Sequence, residues 1–341
     1  YFNTKLYTGT GSSNSITGVG FQPDWVWIKN RGNTESHALF DAVRGVTKRI
    51  ASNSTGAEET NANTVTAFGT DGFTVGTNAG VNGSGISTVA WNWKAGNSAG
   101  SSNTDGSTSS TVSANTTSGF SIVKYTNPSS GSPFTVGHGL GAAPKMIMIK
   151  NLSSAQTWGV YHVSVGFGKY LRLDTTNDQA NANLITATSA TTFSAYQDHH
   201  STGNELIAYC FAEKTGYSKF GSYVGNGNAD GPFVYTGFKP AFVLQKRSSA
   251  TESWNLYDNK REGFNGGDEP LFADLNNSES KDTGKIDFLS NGFKIRTTNS
   301  QVGASGGTYI YMAFAEAPLV GSNNVPCTAK WGKKLWVKIE I

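Results

Sequence analysis

Cysteine is nearly missing from this chain. Only two of its 341 residues are cysteines, and neither Cys210 nor Cys327 has metal-ligand spacing to a histidine. Two such residues cannot build a disulfide framework. Their scarcity fits assembly in a reducing cytoplasm followed by exposure outside the cell, and we expect no structural or catalytic metal.

Charge and long apolar runs are also lacking. Charged residues make up 15% of the chain, and the net charge is only +3. Without a Lys/Arg-rich run this excludes nucleic acid as an expected partner. No apolar run approaches the ~20 residues that span a bilayer, so membrane insertion is not expected, and no signal peptide is recognisable. The chain begins at Tyr1 without Met, and we interpret it as part of a longer protein.

Glycine is abundant, with 41 residues, and Ser, Thr and Asn are frequent as well. Side chains of Ser, Thr and Asn compete with the helical backbone for hydrogen bonds, so this composition disfavours helices. Together with many glycines, it is typical of short strands joined by turns. The composition therefore predicts an all-β protein.

The same pattern occurs three times along the chain. Each copy has a proline that leads an apolar run, a lysine six positions after it, and an aromatic residue seventeen positions after it. The prolines are Pro23, Pro144 and Pro240, the lysines Lys29, Lys150 and Lys246, and the aromatics Phe40, Tyr161 and Tyr257. A repeat of about 100 residues is too long for a solenoid unit, so it predicts tandem domains.

The repeat sets the predicted domain boundaries. Copy one covers residues 1–96, copy two 119–214 and copy three 215–317. Residues 97–118 consist almost wholly of small polar residues, which predicts a flexible or surface-draped linker. Residues 318–341 form a tail outside the repeat, and the alternation from Leu335 predicts a terminal strand.

The proline-led strand is apolar on both faces. In copy one, Trp25 and Trp27 share one face, and Val26 lies on the other. Such a strand lies in the middle of a sandwich or beneath another layer. The paired tryptophans also suggest a platform for sugar rings, but Met, Phe and Leu replace them in the other copies, which favours core packing. The sequence thus predicts three tandem β-sandwich domains.

One charged pair recurs in two of the copies. Asp41 and Arg44 return as Asp258 and Arg261, whereas copy two has His162 and Val165 at these places. A paired Asp and Arg can bind a sugar hydroxyl or a carboxylate through bidentate hydrogen bonds. The alternative is that the pair anchors a loop to its own domain. If the pair binds a ligand, copy two should be the inactive copy.

Other reactive-looking motifs fit catalysis poorly. His199 and His200 are adjacent, so on a strand they would point to opposite faces. The acid pairs Glu58-Glu59 and Asp268-Glu269 lie among turn residues, where no carboxylate is desolvated as a glycosidase requires. Residues 303–307 match Gly-x-Ser-x-Gly, but a β-type run follows instead of a helix. We therefore expect no catalytic residues, no cofactor and no enzymatic activity.

Taken together, the copies resemble a repeated domain of unknown function found in structural and tail-fibre proteins of marine and cyanobacterial tailed phages. The resemblance covers nearly all of residues 1–321, and the tail from Cys327 departs from it. It rests on long phrases in order, among them Ile16-Thr17-Gly18-Val19-Gly20-Phe21-Gln22-Pro23-Asp24, Leu39-Phe40-Asp41-Ala42-Val43-Arg44-Gly45, Ala90-Trp91-Asn92-Trp93-Lys94-Ala95-Gly96 and Ala208-Tyr209-Cys210-Phe211-Ala212-Glu213.

The resemblance implies a lectin-like, concanavalin-type (jelly-roll) sandwich and a place on a virion, after synthesis in the host cytoplasm. We expect a tail-fibre or surface-fibre segment that contacts the host surface, with other virion proteins as partners and a host-surface glycan as a candidate ligand. It also implies a homo-oligomer, with a trimer favoured and the strand 331–341 as a candidate for pairing between subunits. The alternatives are a head-attached decoration protein without a ligand and, less favoured, a polysaccharide depolymerase.

Overall fold

The computed structural model describes residues 1–128, 133–196, 201–261, 265, 270–279 and 284–315. Within these ranges the protein is almost entirely β, in several antiparallel sheets, which confirms the all-β prediction. The predicted terminal strand within 331–341 lies outside the described residues. No helix in the described part of the chain is both long and apolar enough to span a membrane.

Copy one forms two main sheets, a four-stranded large sheet and a three-stranded small sheet. The large sheet has the order β1-β9-β3-β4, the small sheet β2-β8-β7, and β5-β6 is a short extra pair. A single-turn helix, α1 (Ala79–Asn82), precedes the last strand. The strands are β1 (Phe2–Thr8), β2 (Asn14–Ile16), β3 (Trp25–Asn30), β4 (Ala38–Asp41), β5 (Lys48–Arg49), β6 (Glu59–Thr60), β7 (Val65–Gly69), β8 (Gly72–Val75) and β9 (Ser87–Trp93).

Copy two repeats this plan and extends it. Its large sheet has six strands in the order β10-β11-β12-β20-β14-β15, its small sheet is β13-β19-β18, and β16-β17 is the extra pair. The strands are β10 (Ser101–Asn103), β11 (Ser110–Asn115), β12 (Phe120–Thr126), β13 (Phe134–Gly137), β14 (Met146–Asn151), β15 (Gly159–His162), β16 (Lys169–Tyr170), β17 (Ala180–Asn181), β18 (Ile185–Thr188), β19 (Thr192–Ala195) and β20 (Glu205–Phe211).

Copy three has a five-stranded large sheet, β21-β28-β23-β24-β25, and a small sheet, β22-β27-β26. In all three copies the proline-led strand pairs with the last strand, in the same register. The strands of copy three are β21 (Ser218–Val224), β22 (Phe233–Tyr235), β23 (Phe242–Arg247), β24 (Asn255–Asp258), β25 (Leu271–Phe272), β26 (Ile286–Leu289), β27 (Gly292–Ile295) and β28 (Thr308–Phe314).

The segment that its composition predicts to be a flexible linker is built into copy two. Strands β10 and β11 both fall within 97–118, and β11 pairs with β12 along its whole length. Adding a strand to a sheet edge requires backbone hydrogen bonds more than apolar side chains, and composition does not report these. Here Val112 and Ser113 are buried as well. Of the two forms predicted for this linker, the flexible one does not fit these paired strands, and the bounds 97–118 stay a prediction.

Each copy has a core of its own between its two sheets. In copy one, Val26 and Ile28 of the large sheet pack with Phe73 and Val75 of the small sheet. Equivalent clusters fill copies two and three. Alternation along β3 turns Trp25 and Trp27 to the opposite face of the large sheet, away from this core.

That second face is buried against the other two copies. The large sheets of all three copies contribute to a single apolar cluster, which we call the shared core. Aromatic rings join every pair of copies in it: Trp25 and Tyr209 stack at 4.4 Å between ring centroids, Trp93 and Phe242 lie 5.5 Å apart, and Phe211 and Phe314 lie 5.9 Å apart. The tryptophans are therefore core residues, as the repeat predicts.

Candidate functional site

The charged pair of copy one lies at its junction with copy two. Arg44 Nε donates to Asp41 Oδ2 at 2.5 Å, and the hydroxyl of Tyr209 in copy two donates to the same oxygen at 2.7 Å. The side chains of Asp41 and Arg44 are 0% and 1% exposed. Burial by itself would lower the pKa of Arg44, but Asp41, Tyr209 and Glu58 together more than offset this and raise it.

The pair in copy three forms the corresponding junction with copy one. Arg261 Nε donates to Asp258 Oδ2 at 2.6 Å, and Trp91 Nε1 of copy one donates to that oxygen at 3.0 Å. Burial alone would raise the pKa of Asp258. The charge of Arg261 and its hydrogen bond, together with the bond from Trp91, outweigh burial and hold the pKa below its usual value.

Copy two has a neutral imidazole at this place. Nδ1 of His162 accepts a hydrogen bond from the backbone N–H of Ser164, so Nε2 carries the proton and donates to the carbonyl of Tyr311 in copy three at 3.1 Å. Burial lowers the pKa of His162 to about 4. The three junctions thus close a ring in which copy two contacts copy one, copy one contacts copy three, and copy three contacts copy two.

A second set of equivalent side chains follows the same ring. The residue fourteen positions after each proline donates a ring N–H to a backbone carbonyl of the neighbouring copy. His37 bonds to Phe272 at 2.9 Å, Trp158 to Ala51 at 2.9 Å and Trp254 to Arg172 at 2.7 Å. His37 is the donor there because its Nδ1 accepts from Trp27 Nε1.

The repeated lysines complete the junctions. Lys29, Lys150 and Lys246 each direct the ammonium group to a loop carbonyl of the neighbouring copy. The acceptors are Asn276 at 3.3 Å, Thr55 at 2.8 Å and Thr176 at 3.2 Å. Burial lowers the pKa of each lysine to about 8. The residues that recur most regularly in the sequence therefore hold the copies together.

None of the four predicted binding residues lines an open site. The side chains of these four residues are each at most 2% exposed, and their polar atoms bond to one another and to the adjacent copy. The geometry supports the alternative interpretation that the pair anchors its loop. It adds a contact that the sequence did not indicate, because the neighbouring copy also uses the carboxylate.

An open groove of about 300 Å³ lies instead on copy three, where the last residues of copy two enter it, and we call it the groove on copy three. Glu213, Ser218, Lys219, Tyr235 and Thr236 line it, together with Thr215, Gly216 and Gly237. Lys219 Nζ lies 2.8 Å from Glu213 Oε1, and the backbone N–H of Phe220 donates to the other carboxylate oxygen at 3.3 Å. The groove thus presents a fixed carboxylate, an ammonium group and an aromatic ring.

The aromatic ring belongs to an exposed pair on the edge strand β22. Phe233 and Tyr235 are 45% and 61% exposed, whereas Val234 between them is buried in the core of copy three. Alternate strand residues project to the same side, so the two rings share the outer face of the small sheet. The ring of Phe233 lies over Gly292 of the neighbouring strand β27. A Cβ atom added at Gly292 would come within 2.9 Å of that ring.

The other copies lack this aromatic pair. Val234 pairs with Phe293 in the small sheet, as Ile16 pairs with Phe73 and Val136 with Phe193. This register aligns Phe233 and Tyr235 with Ser15 and Thr17 in copy one and with Thr135 and Gly137 in copy two. The pair was not among the predicted site residues, although Phe233 and Tyr235 stand out in the sequence against the small residues of the other copies.

Residues 1–318 match the family described as Domain of unknown function (DUF7483). The chain belongs to this family. No curated protein and no solved structure matches the chain.

Membership of this family assigns no activity. The geometry of the acid pairs, the Gly-x-Ser-x-Gly match and the other motifs gives the following picture. Glu58 contacts Arg44 at 3.2 Å and Glu59 contacts Arg49 at 2.6 Å, so both carboxylates pair with arginines. The Gly-x-Ser-x-Gly match is followed directly by the strand β28. His199-His200 and Asp268-Glu269 lie outside the described residues. Within the described part, no three His, Cys, Asp or Glu side chains are grouped to hold a metal ion.

Proposed function

We propose that the protein is a structural component of a tailed-phage virion, in a tail fibre or another surface fibre that contacts the host envelope. The sequence resemblance to phage structural proteins supports the viral assignment. The observation that carries the proposal is the shared core, which joins three copies into one body through apolar packing and a closed ring of buried hydrogen bonds. Such a body suits a mechanical support for surface contacts.

A support that is already ordered has a specific benefit for recognition. A contact surface loses less conformational entropy on binding when its supporting elements are already ordered. The groove on copy three is built on β21 and β22 and on the turns next to them, and β21 pairs along its full length with β28. The exposed rings themselves lie on β22, which pairs with β27 in the small sheet, so they are carried by a strand instead of a free loop.

We also propose that the chain assembles with other virion proteins and forms a homo-oligomer, with a trimer favoured by the resemblance. The faces that join copies within the chain are already buried in the shared core. Contacts between chains must therefore use other surfaces. Sedimentation of the purified chain at high concentration tests this, and a strictly monomeric chain would count against it.

The location on the particle is tested by labelling. Antibody raised against residues 1–341 is bound to intact virions, and gold conjugates are located by electron microscopy. We expect gold on tail-associated fibres. Gold over the head would replace this proposal with a decoration protein, and failure to label any purified virion would overturn the viral assignment. Loss of host polysaccharide on incubation with pure protein would instead indicate a depolymerase.

A further inference from the structure

We infer that the groove on copy three is a saccharide-binding site in which Tyr235 stacks on the apolar face of a sugar ring while Glu213 and Lys219 bond to its hydroxyl groups. This inference deepens the proposed function, because it names the ligand class and the place where it binds. It rests on four observations: the exposed rings, the polar lining, the size of the groove and the comparison among copies.

The exposed rings point to a ligand with a flat apolar face. Among the large apolar side chains of the described residues, Tyr235 is the most exposed, at 61%. Exposing aromatic area to water costs free energy that a stacking partner recovers. A Cβ added at Gly237 would lie 3.6 Å from the Tyr235 hydroxyl oxygen, so a glycine borders the ring at its polar end and leaves room for a ligand there.

The polar lining suits hydroxyl groups. Sugar hydroxyls both donate and accept, and the groove offers a carboxylate as an acceptor beside an ammonium group as a donor. The two opposite charges lie 2.8 Å apart and largely cancel. A polyanion such as nucleic acid gains little from such a pair, whereas a neutral polyol can bond to both groups.

The size of the groove limits the ligand. Its volume of about 300 Å³ lies at the lower end of small-molecule sites, which is room for one or two sugar rings. Two exposed rings also make a small apolar patch compared with stable protein–protein interfaces. We therefore favour a saccharide over a protein partner.

The comparison among copies shows that the small sheet forms without the aromatic rings of this site. The aligned positions in copies one and two carry Ser15, Thr17, Thr135 and Gly137, and both small sheets still form. The fold therefore does not need aromatic rings here. Phe233 has a structural role over Gly292, so Tyr235 is the residue that tests the inference.

The test uses the full chain on a glycan array of lipopolysaccharide, capsular and exopolysaccharide fragments, followed by titration of the strongest probe in solution. We expect Tyr235→Ala to weaken binding at least tenfold, and Tyr235→Phe, which keeps the ring, to retain most of it. Glu213→Gln and Lys219→Gln should each weaken binding. Phe167→Ala is the matched control, because it removes another exposed ring, 50% accessible, from copy two.

Two results would overturn the site. One is wild-type protein that binds no glycan on the array, and the other is Tyr235→Ala protein that binds as tightly as wild type. Thermal unfolding of each variant confirms that the fold is retained. If virions carry the gold label on their fibres but the array is blank, the virion proposal stands and the saccharide site fails. If the protein binds a glycan but no gold labels the fibres, the saccharide site stands and the fibre proposal fails.

Discussion

The junctions formed by Asp41 and Asp258 differ from the junction formed by His162, although all three occupy the same place in the repeat. At the first two, a carboxylate accepts from Tyr209 or Trp91 of the next copy. At the third, an imidazole N–H donates to the backbone carbonyl of Tyr311, next to Met312, the counterpart of Tyr209 and Trp91. The hydrogen-bond roles of both partners are exchanged together.

This exchange shows what the junction requires. Charge is dispensable there, since the copy-two junction is neutral, but each of the three junctions pairs a donor of one copy with an acceptor of the next. Leaving a buried donor or acceptor unsatisfied costs about 1–3 kcal/mol, more than a satisfied bond contributes. Buried ion pairs also lose hydration, so a neutral junction is a sound alternative to a charged one.

Breaking one ion pair should have the largest effect. Arg44→Met leaves the Asp41 carboxylate buried without its counter-ion, and we expect the free energy of unfolding to fall by about 3–5 kcal/mol. Urea denaturation measures this loss. Because the shared core couples all three copies, the loss should appear in a single unfolding transition of the whole chain.

The matched control installs the arrangement of copy two. In Asp41→His/Arg44→Val neither charge is present and the imidazole can cap the same turn, so we expect at least half of the lost stability to return. A double variant as unstable as Arg44→Met would show that hydrogen-bond exchange does not explain the difference between junctions.

Acid should weaken the His162 junction. Its pKa is about 4 in the fold against roughly 6.5 when exposed. A lowered pKa gives stability that is fully present above pH 6.5 and lost as the pH falls toward 4. At about 1.4 kcal/mol per unit, the loss is roughly 3 kcal/mol. Protonation would also displace the Ser164 N–H from Nδ1.

His162→Gln isolates this contribution. Its stability should depend less on pH between 6.5 and 4 than that of the wild type, by roughly the same 3 kcal/mol. Carboxylates protonate equally in both proteins, so the difference between their curves reports on His162. Parallel curves would mean that His162 does not titrate with the low pKa that its burial implies.

Removal of one hydroxyl sharpens the comparison further. Tyr209→Phe keeps the aromatic ring in the shared core but removes the donor to Asp41, and we expect a loss of about 1.5–3 kcal/mol, as for hydrogen bonds to charged groups. Met312→Leu is the control at the equivalent position of copy three, where no side-chain donor exists, and its loss should stay below about 1.5 kcal/mol. Equal losses in the two variants would contradict the assigned role of the hydroxyl.

The smallest effect should come from the solvent-exposed pair Arg49–Glu59, whose side chains are 24% and 53% exposed. Glu59→Gln should change stability by less than about 0.5 kcal/mol. Its sequence neighbour Glu58 contacts the buried Arg44, so Glu58→Gln should cost more, about 1 kcal/mol. Thermal unfolding of the two variants side by side compares their losses of stability. A larger loss for Glu59→Gln than for Glu58→Gln would contradict the expected order.

Much of the fold could be predicted because the repeat compares the sequence with itself. Trp25 and Trp27 are predicted to be core residues because Met, Phe and Leu replace them in the other copies. A strand that is apolar on both faces indicates a layer on each side. The identity of the second layer was not predictable, since apolar periodicity reports that a face is covered and not what covers it. The jelly-roll, concanavalin-type form of each copy stays a prediction.

The candidate site was harder to find from sequence. Asp41 and Arg44 have the residue types of a ligand-binding pair, and only three-dimensional structure tells burial at a junction from exposure in a cleft. The composition of residues 97–118 predicts a linker, because composition does not report which backbone groups pair in a sheet. The groove brings together Glu213 and Tyr235, which are 22 positions apart, and no local pattern joins them.

The closed ring of three copies within one chain also decides the valency of any surface feature. In a symmetric trimer of identical subunits, each substitution appears three times and must be tolerated at all three places. Here Tyr235 appears once in each chain, while Thr17 and Gly137 occupy the sister positions. The threefold repeat keeps the shared core while the outer face of each copy is free to diverge, so one face can be altered for contact without changing the other two.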